Sequence, residues 1–299
     1  MRLHRLLIAS LLLCLSLART PAAAEDGRSQ PPPPRRVALV VGNGAYQHTL
    51  TLPNPPNDAR AVAANLRELG FDVVERVDLD QGGLRAALGE FARKLDGAEA
   101  ALLFYAGHGL QVSGRNYLVP IDAALERESD LYLQALAVDD VMRLMEAAVP
   151  TRLVILDACR NNPLARTLAR AMGATRSAAV APGLAKVEAA AGTLVAYATA
   201  PDQVALDGAG QHSPFTAALL EHMATPGLEV RQVLTRVRRS VITATNGQQL
   251  PWDQSSLTGD LYLKIEVNVT LQAPPTPSPT PAAADGALEL ALWQSAERL

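Results

Sequence analysis

The sequence predicts an α/β fold built on a mostly parallel central sheet. Short continuous apolar runs rich in branched residues, at Val37 to Val41, Ala100 to Tyr105 and Leu153 to Leu156, read as strands buried on both faces. Between them, apolar residues recur at helical spacing, as at Ala59, Val62, Ala63, Leu66 and Leu69. Polar bursts follow the strands directly, at Gly107-His108-Gly109 and at Asp157-Ala158-Cys159-Arg160. Strands alternating with helices give a parallel-dominated sandwich, whose sites lie outside the carboxyl ends of the strands.

Taken in order, the chain starts with a basic Met1 to Arg5, an apolar Leu6 to Leu17 and a small-residue Pro21 to Ala24. This pattern predicts a secretory signal peptide over residues 1–24. A Pro-rich spacer follows at 25–35, then the main domain at 36–266. Asn57 is expected to cap the first helix and Gly70 to stop it. Phe71 to Val77 alternates as a strand, and Leu84, Leu88, Phe91 and Leu95 mark a second helix. Ser113 to Asn116 reads as a turn, and Val138, Val141, Met142 and Met145 mark a third helix. Arg166 to Ala191 is alanine-rich and weakly patterned, as expected of a long loop. Gly192 to Ala198 is another strand. His212-Ser213-Pro214 opens a capped helix with proline at its first position, and Val230 to Val241 forms another helix. Pro251-Trp252 is expected in a loop and Leu261 to Ile265 as the last strand. A Pro/Thr/Ser linker at 267–285 leads to an amphipathic tail helix at 286–299, a candidate to bind a partner or further repeats.

The bulk numbers exclude some functions. Net charge is −3 over 299 residues and the arginines are scattered, so nothing calls for nucleic acid or an anionic membrane surface. Membrane contact is expected only through the signal peptide. The histidines show no ligand spacing and there is no Gly-x-Ser-x-Gly elbow, which argues against a zinc enzyme and a serine hydrolase. Of the two cysteines, Cys14 falls in the signal peptide, so Cys159 would be the single thiol of an exported protein, in a periplasmic or extracellular compartment.

His108 and Cys159, each at the mouth of a strand, make a Cys–His dyad plausible, although a lone buried Cys is usually inert and a lone His usually structural. Tyr105-Ala-Gly-His108-Gly followed by Asp157-Ala-Cys159-Arg resembles the caspase-like (clan CD, peptidase C14) cysteine peptidases, above all bacterial metacaspase-type members. The likeness runs from about Arg36 to Ile265. It departs from the caspase signature at Asp157, where glutamine would stand, and at Asn161, where glycine would. The resemblance implies a caspase-like three-layer sandwich with a mostly parallel sheet of about six strands flanked by helices. It also implies a cysteine endopeptidase acting on protein or peptide substrates. Cys159 would be the nucleophile, His108 the base and then the acid, and the backbone N–H groups of Gly109 and Cys159 the oxyanion donors.

Specificity is expected in acidic residues at strand ends. Asp157 shares its direction with Cys159 by alternation. Asp58 matches an acidic position of metacaspases, with a helix cap as its alternative reading, and Asp202 resembles their Asp-Gln segment, with a turn residue as its alternative. Three converging carboxylates would favour Arg or Lys before the cut bond. Arg166, Arg170, Arg176 and Lys186 are candidate self-cleavage sites, with a plain mobile loop as the alternative. No cofactor or metal is implied. Calcium dependence, known in some relatives, is not readable because no ligand-spaced acidic loop is present. The competing reading is a non-catalytic caspase-like interaction module, against which the presence of both His108 and Cys159 argues.

Overall fold

The computed structural model describes residues 34–158, 163–173 and 180–265. The signal peptide, linker and tail-helix expectations lie outside the described residues, as do Cys159 and Arg176.

The main sheet has six strands: β1 (Arg36–Gly42), β2 (Phe71–Val77), β3 (Ala100–Gly107), β7 (Thr151–Ala158), β9 (Thr193–Tyr197) and β10 (Trp252–Ser255). Their order is β10-β9-β7-β3-β1-β2. The first five run parallel and β10 pairs antiparallel to β9. The order reverses at β1, which lies between β2 and β3, and open sheets of this kind place ligands at such a reversal. The inner parallel strands β1, β3, β7 and β9 are covered on both sides, which explains their apolar runs, whereas the edge strand β2 alternates and is partly exposed.

Two cores face the sheet. On one side Ala38, Val40, Leu102, Phe104, Leu153 and Ile155 pack against α1 (Pro55–Glu68), α6 (Pro214–His222) and α7 (Val230–Ala244). On the other, Leu39, Val41, Leu103, Tyr105, Val154 and Leu156 pack against α2 (Gln81–Lys94) and α4 (Val138–Ala148). The period-2 alternation of one strand thus serves two helical layers, and the three-layer expectation holds. A smaller sheet, order β6-β5-β4-β8, stands beside the end of β3. It comprises β4 (Gly109–Val112), β5 (Arg115–Leu118), β6 (Leu136–Ala137) and β8 (Val180–Ala181), with α3 (Glu128–Gln134) leading into β6. The Ser113–Gly114 turn between β4 and β5 has positive φ at both residues, as a two-residue hairpin requires.

Four details differ from expectation. Helix α1 starts two residues before Asn57, because Pro55 and Pro56 carry the fixed φ suited to a first turn; Asn54 holds the cap position and donates its side-chain amide to Asp207 O at 2.6 Å. The expected Arg166–Ala191 loop begins within α5 (Pro163–Ala171), which buries Leu164 and Leu168 one turn apart, and it contains β8. Trp252 opens strand β10. Leu261 to Ile265 is not a sheet strand: it makes one bridge, Glu229 to Tyr262, and buries Leu263 against the α7 side.

Candidate active site

The site grows from the ends of two neighbouring strands. Strands β3 and β7 pair in parallel with Ala106 opposite Asp157 and Gly107 opposite Ala158. The next residue of one strand is His108; the next of the other is Cys159, outside the described residues. Chain connectivity therefore brings the two halves of the predicted dyad out of paired strand ends.

His108 is almost fully buried and rigidly held. Its Nε2 lies 2.8 Å from the carbonyl oxygen of Leu50. A carbonyl only accepts, so Nε2 carries the proton and Nδ1 the lone pair in the neutral ring. The His108 backbone N–H donates to Tyr46 Oη at 2.7 Å, and the Tyr105 hydroxyl lies 2.8 Å from His108 O and 3.0 Å from Val119 O. The Tyr46 ring packs on the imidazole at 4.5 Å between centroids. The glycines flanking His108 make room for its neighbours. A Cβ on Gly107 would stand 2.6 Å from Tyr46 Oη and 2.9 Å from Tyr105 Oη, so glycine there admits the two hydroxyls that hold His108. A Cβ on Gly109 would stand 3.1 Å from Ala158 Cβ, so glycine lets β4 lie close to the end of β7.

Two of the three predicted pocket acids come together. Asp157 is fully buried and accepts hydrogen bonds from the hydroxyls of Ser213 and Thr216, the latter at 2.8 Å. Asp58, equally buried, accepts from the Ser213 backbone N–H at 3.3 Å and from His212 Nδ1 at 2.8 Å. Ser213 also caps α6 by accepting from Thr216 N–H at 2.9 Å. One residue thus closes a helix and bridges two buried carboxylates, and the positive end of α6 points at them. Asp58 is a member of α1 without being its cap. Asp202 is exposed, has φ of 61°, and accepts from Gln111 Nε2 at 2.8 Å. Its backbone supports the turn reading, and its bond to Gln111 ties it to β4, apart from the Ser213 cluster. A cavity of about 200 Å³ adjoins Gly109, walled by Leu110, Pro182, Gly183 and Val204.

Sequence reasoning missed the Leu50 carbonyl, Tyr46 and His212. A backbone carbonyl leaves no residue-type signal. His212-Ser213-Pro214 was visible only as a helix start. Among the described residues, no group of three His, Cys, Asp or Glu side chains converges on a metal position.

A family model described as the caspase domain, Peptidase C14, matches residues 35–262, more than half of the chain. The chain belongs to the caspase-domain family. It is similar to the human mucosa-associated lymphoid tissue lymphoma translocation protein 1, with 35% identity over 141 residues, 47% of this chain and 17% of that protein. The mouse homolog is 35% identical over 137 residues, 46% of this chain and 16% of its own length. The chain therefore spans a small part of the relatives it matches. Membership in the caspase-domain family points to a peptidase or a related module.

Proposed function

We propose that this chain is a cysteine endopeptidase that cuts after Arg or Lys, with Cys159 as nucleophile and His108 as the proton carrier. The observation that carries this reading is the Leu50 carbonyl on His108 Nε2. It fixes the ring and the tautomer, leaving Nδ1 as the basic nitrogen, at the end of the strand paired with the one that leads to Cys159. Orientation of an imidazole by a second group is the general requirement for a base that must act at one atom.

In the proposed reaction the Cys159 thiol gives its proton to His108 and the thiolate attacks the substrate carbonyl carbon. The backbone N–H groups of Gly109 and Cys159 stabilise the resulting oxyanion. His108 then protonates the leaving amine as the C–N bond breaks, which leaves a thioester. Water, deprotonated by His108, attacks the thioester carbonyl; the S–C bond breaks and the acid product leaves with the thiol restored. Asp58, Asp157 and Asp202 supply negative charge for a guanidinium or ammonium group before the cut bond. Residues 1–24 act as an export signal, placing the enzyme in a periplasmic or extracellular compartment. No cofactor enters this scheme, and the tail helix binds a partner or further repeats.

The test is cleavage of fluorogenic peptides ending in Arg, Lys or Asp by the purified protein and its Cys159→Ala variant, with calcium and with a chelator. Cleavage after Arg and Lys that vanishes in the variant is expected. Cleavage only after Asp keeps the enzyme and rejects the acidic pocket. No cleavage, together with a Cys159 thiol unreactive toward alkylating probes at neutral pH, favours an interaction module.

A further inference from the structure

The amino end of the sheet, away from His108 and Asp157, holds a cavity of about 440 Å³. Arg152, second residue of β7, lies about 17 Å along the strand from Asp157 at 3.3 Å per residue. It faces the layer of Val154 and Leu156, opposite to Asp157. Residues of α4, β7, β9 and the segment 186–190 enclose the space.

Arg152 is 6% exposed, and its partners are neutral. Nε donates to Thr193 Oγ1 at 2.9 Å, Nη1 to Val149 O at 2.7 Å and Nη2 to Ala191 O. A guanidinium has five N–H groups, so one on each terminal nitrogen remains beyond these three bonds. None of its bonds among the described residues is to a carboxylate. Burying a cation without an anion is unfavourable unless something compensates it. The same side chain lines the cavity, whose other walls include the apolar Met142, Met145, Val154 and Val187. The remaining charges at the cavity sit outward or are already engaged. Asp139 is bonded to Arg115 and Arg143 to Asp140, while Glu146, Lys186 and Glu188 are exposed, where water screens them. The buried guanidinium therefore sets the sign of the ligand.

We infer that this cavity is a binding site for a small organic carboxylate with an apolar body, its carboxylate bonded to the two remaining Arg152 N–H groups and its body against Met142 and Val187. The volume falls within the range of small-molecule sites, and apolar walls with few fixed polar groups are their usual make-up. A planar two-donor edge suits a carboxylate better than a lone alcohol or amide. This inference is independent of the peptidase reading, because it uses no residue of that site.

The probes are 4-phenylbutyrate, its neutral amide and inorganic phosphate, titrated calorimetrically into the full chain and followed by the unfolding temperature. Saturable binding of 4-phenylbutyrate is expected, with the amide and phosphate each at least about tenfold weaker, one charge-assisted bond contributing about that factor. Met142→Trp, which fills the space and leaves Arg152 in place, should weaken binding by at least about tenfold. Arg152→Met should abolish it; should that variant fail to fold, Met142→Trp decides. Equal affinity for acid and amide, unchanged binding in Met142→Trp, or no binding of any probe overturns the inference. Arg152 would then be a clamp on the chain ends at Val149 and Ala191.

Discussion

Strand β7 buries a charge near each of its ends, on opposite faces, and the two are met by different kinds of partner. Asp157 receives hydroxyls from Ser213 and Thr216, at the cap and in the first turn of α6. Arg152 donates to the carbonyls of Val149 and Ala191, which belong to the chain just before β7 and just before β9. The first arrangement is built on a helix that cannot easily re-aim its donors, and it is packed closed. The second is built on connecting segments and on the Thr193 hydroxyl of β9, and it borders open volume. Preorganised polar networks are costly to break because each remaining group stays buried without its partner. Carbonyls beside a cavity can be met by water instead.

The largest expected effects test that difference. In a Cys159→Ala background, which removes any self-cleavage, Asp157→Ala should lower stability by about 3 kcal/mol, since two buried hydroxyls lose their acceptor. Arg152→Met should lower it by about 1 kcal/mol, since an apolar chain of similar length replaces the buried ion. Urea unfolding midpoints measure both. If Arg152→Met is as damaging as Asp157→Ala, the two ends of β7 are alike and the amino end is as rigid as the site.

A second prediction concerns the tyrosines that hold His108. Gly107→Ala should cost about 2 kcal/mol, because its Cβ would meet two buried hydroxyls under 3 Å away, at 2.6 and 2.9 Å. Tyr46→Phe should cost about 1 kcal/mol by leaving the His108 N–H without its acceptor. The double variant should be no worse than Gly107→Ala alone, since removing the Tyr46 hydroxyl removes the nearer clash. Additive losses would mean that the glycine is needed for its backbone conformation, φ 150°, rather than for space.

These residues also mark what the sequence could disclose. The inner parallel strands were legible because burial on both faces demands apolar runs, and the edge strand β2 was legible by its alternation. Strand β10, Trp252-Asp-Gln-Ser, is a sheet edge with polar residues and carries no such run, whereas the apolar Leu261–Ile265 looks like a strand and instead covers the α7 core through Leu263. Helix α5 did leave a trace, Leu164 and Leu168 one turn apart after Pro163, masked by the surrounding alanines. At the candidate site, His108, Asp58 and Asp157 could be singled out by residue type. Their partners could not: Leu50 acts through its backbone, and Ser213 lies 155 positions from Asp58, a separation that local pattern cannot bridge.

Ser213→Ala should cost about 1.5 kcal/mol, between the Gly107 and Tyr46 variants, combining a lost helix cap with a lost donor to Asp157. Its backbone N–H still reaches Asp58, so α1 and α6 should remain docked, and hydrogen exchange should rise only in the first turn of α6.

His212→Ala should be the mildest for stability, under about 1 kcal/mol, because the side chain is 27% exposed and water can replace its bond to Asp58. Its effect on cleavage is the sharper readout. His212 Nδ1 occupies Asp58 Oδ1, the atom that a substrate cation would approach if Asp58 lines the pocket. Removing the imidazole takes away the 2.8 Å donor on that oxygen, so KM for a Lys peptide should fall about threefold, an ordinary gain for one additional charged contact. The Arg peptide should change less, because a longer planar group can reach a second acceptor. If both peptides keep their KM while stability drops, Asp58 serves to join α1 to the start of α6, and the charge that selects a basic substrate resides in Asp157 and Asp202.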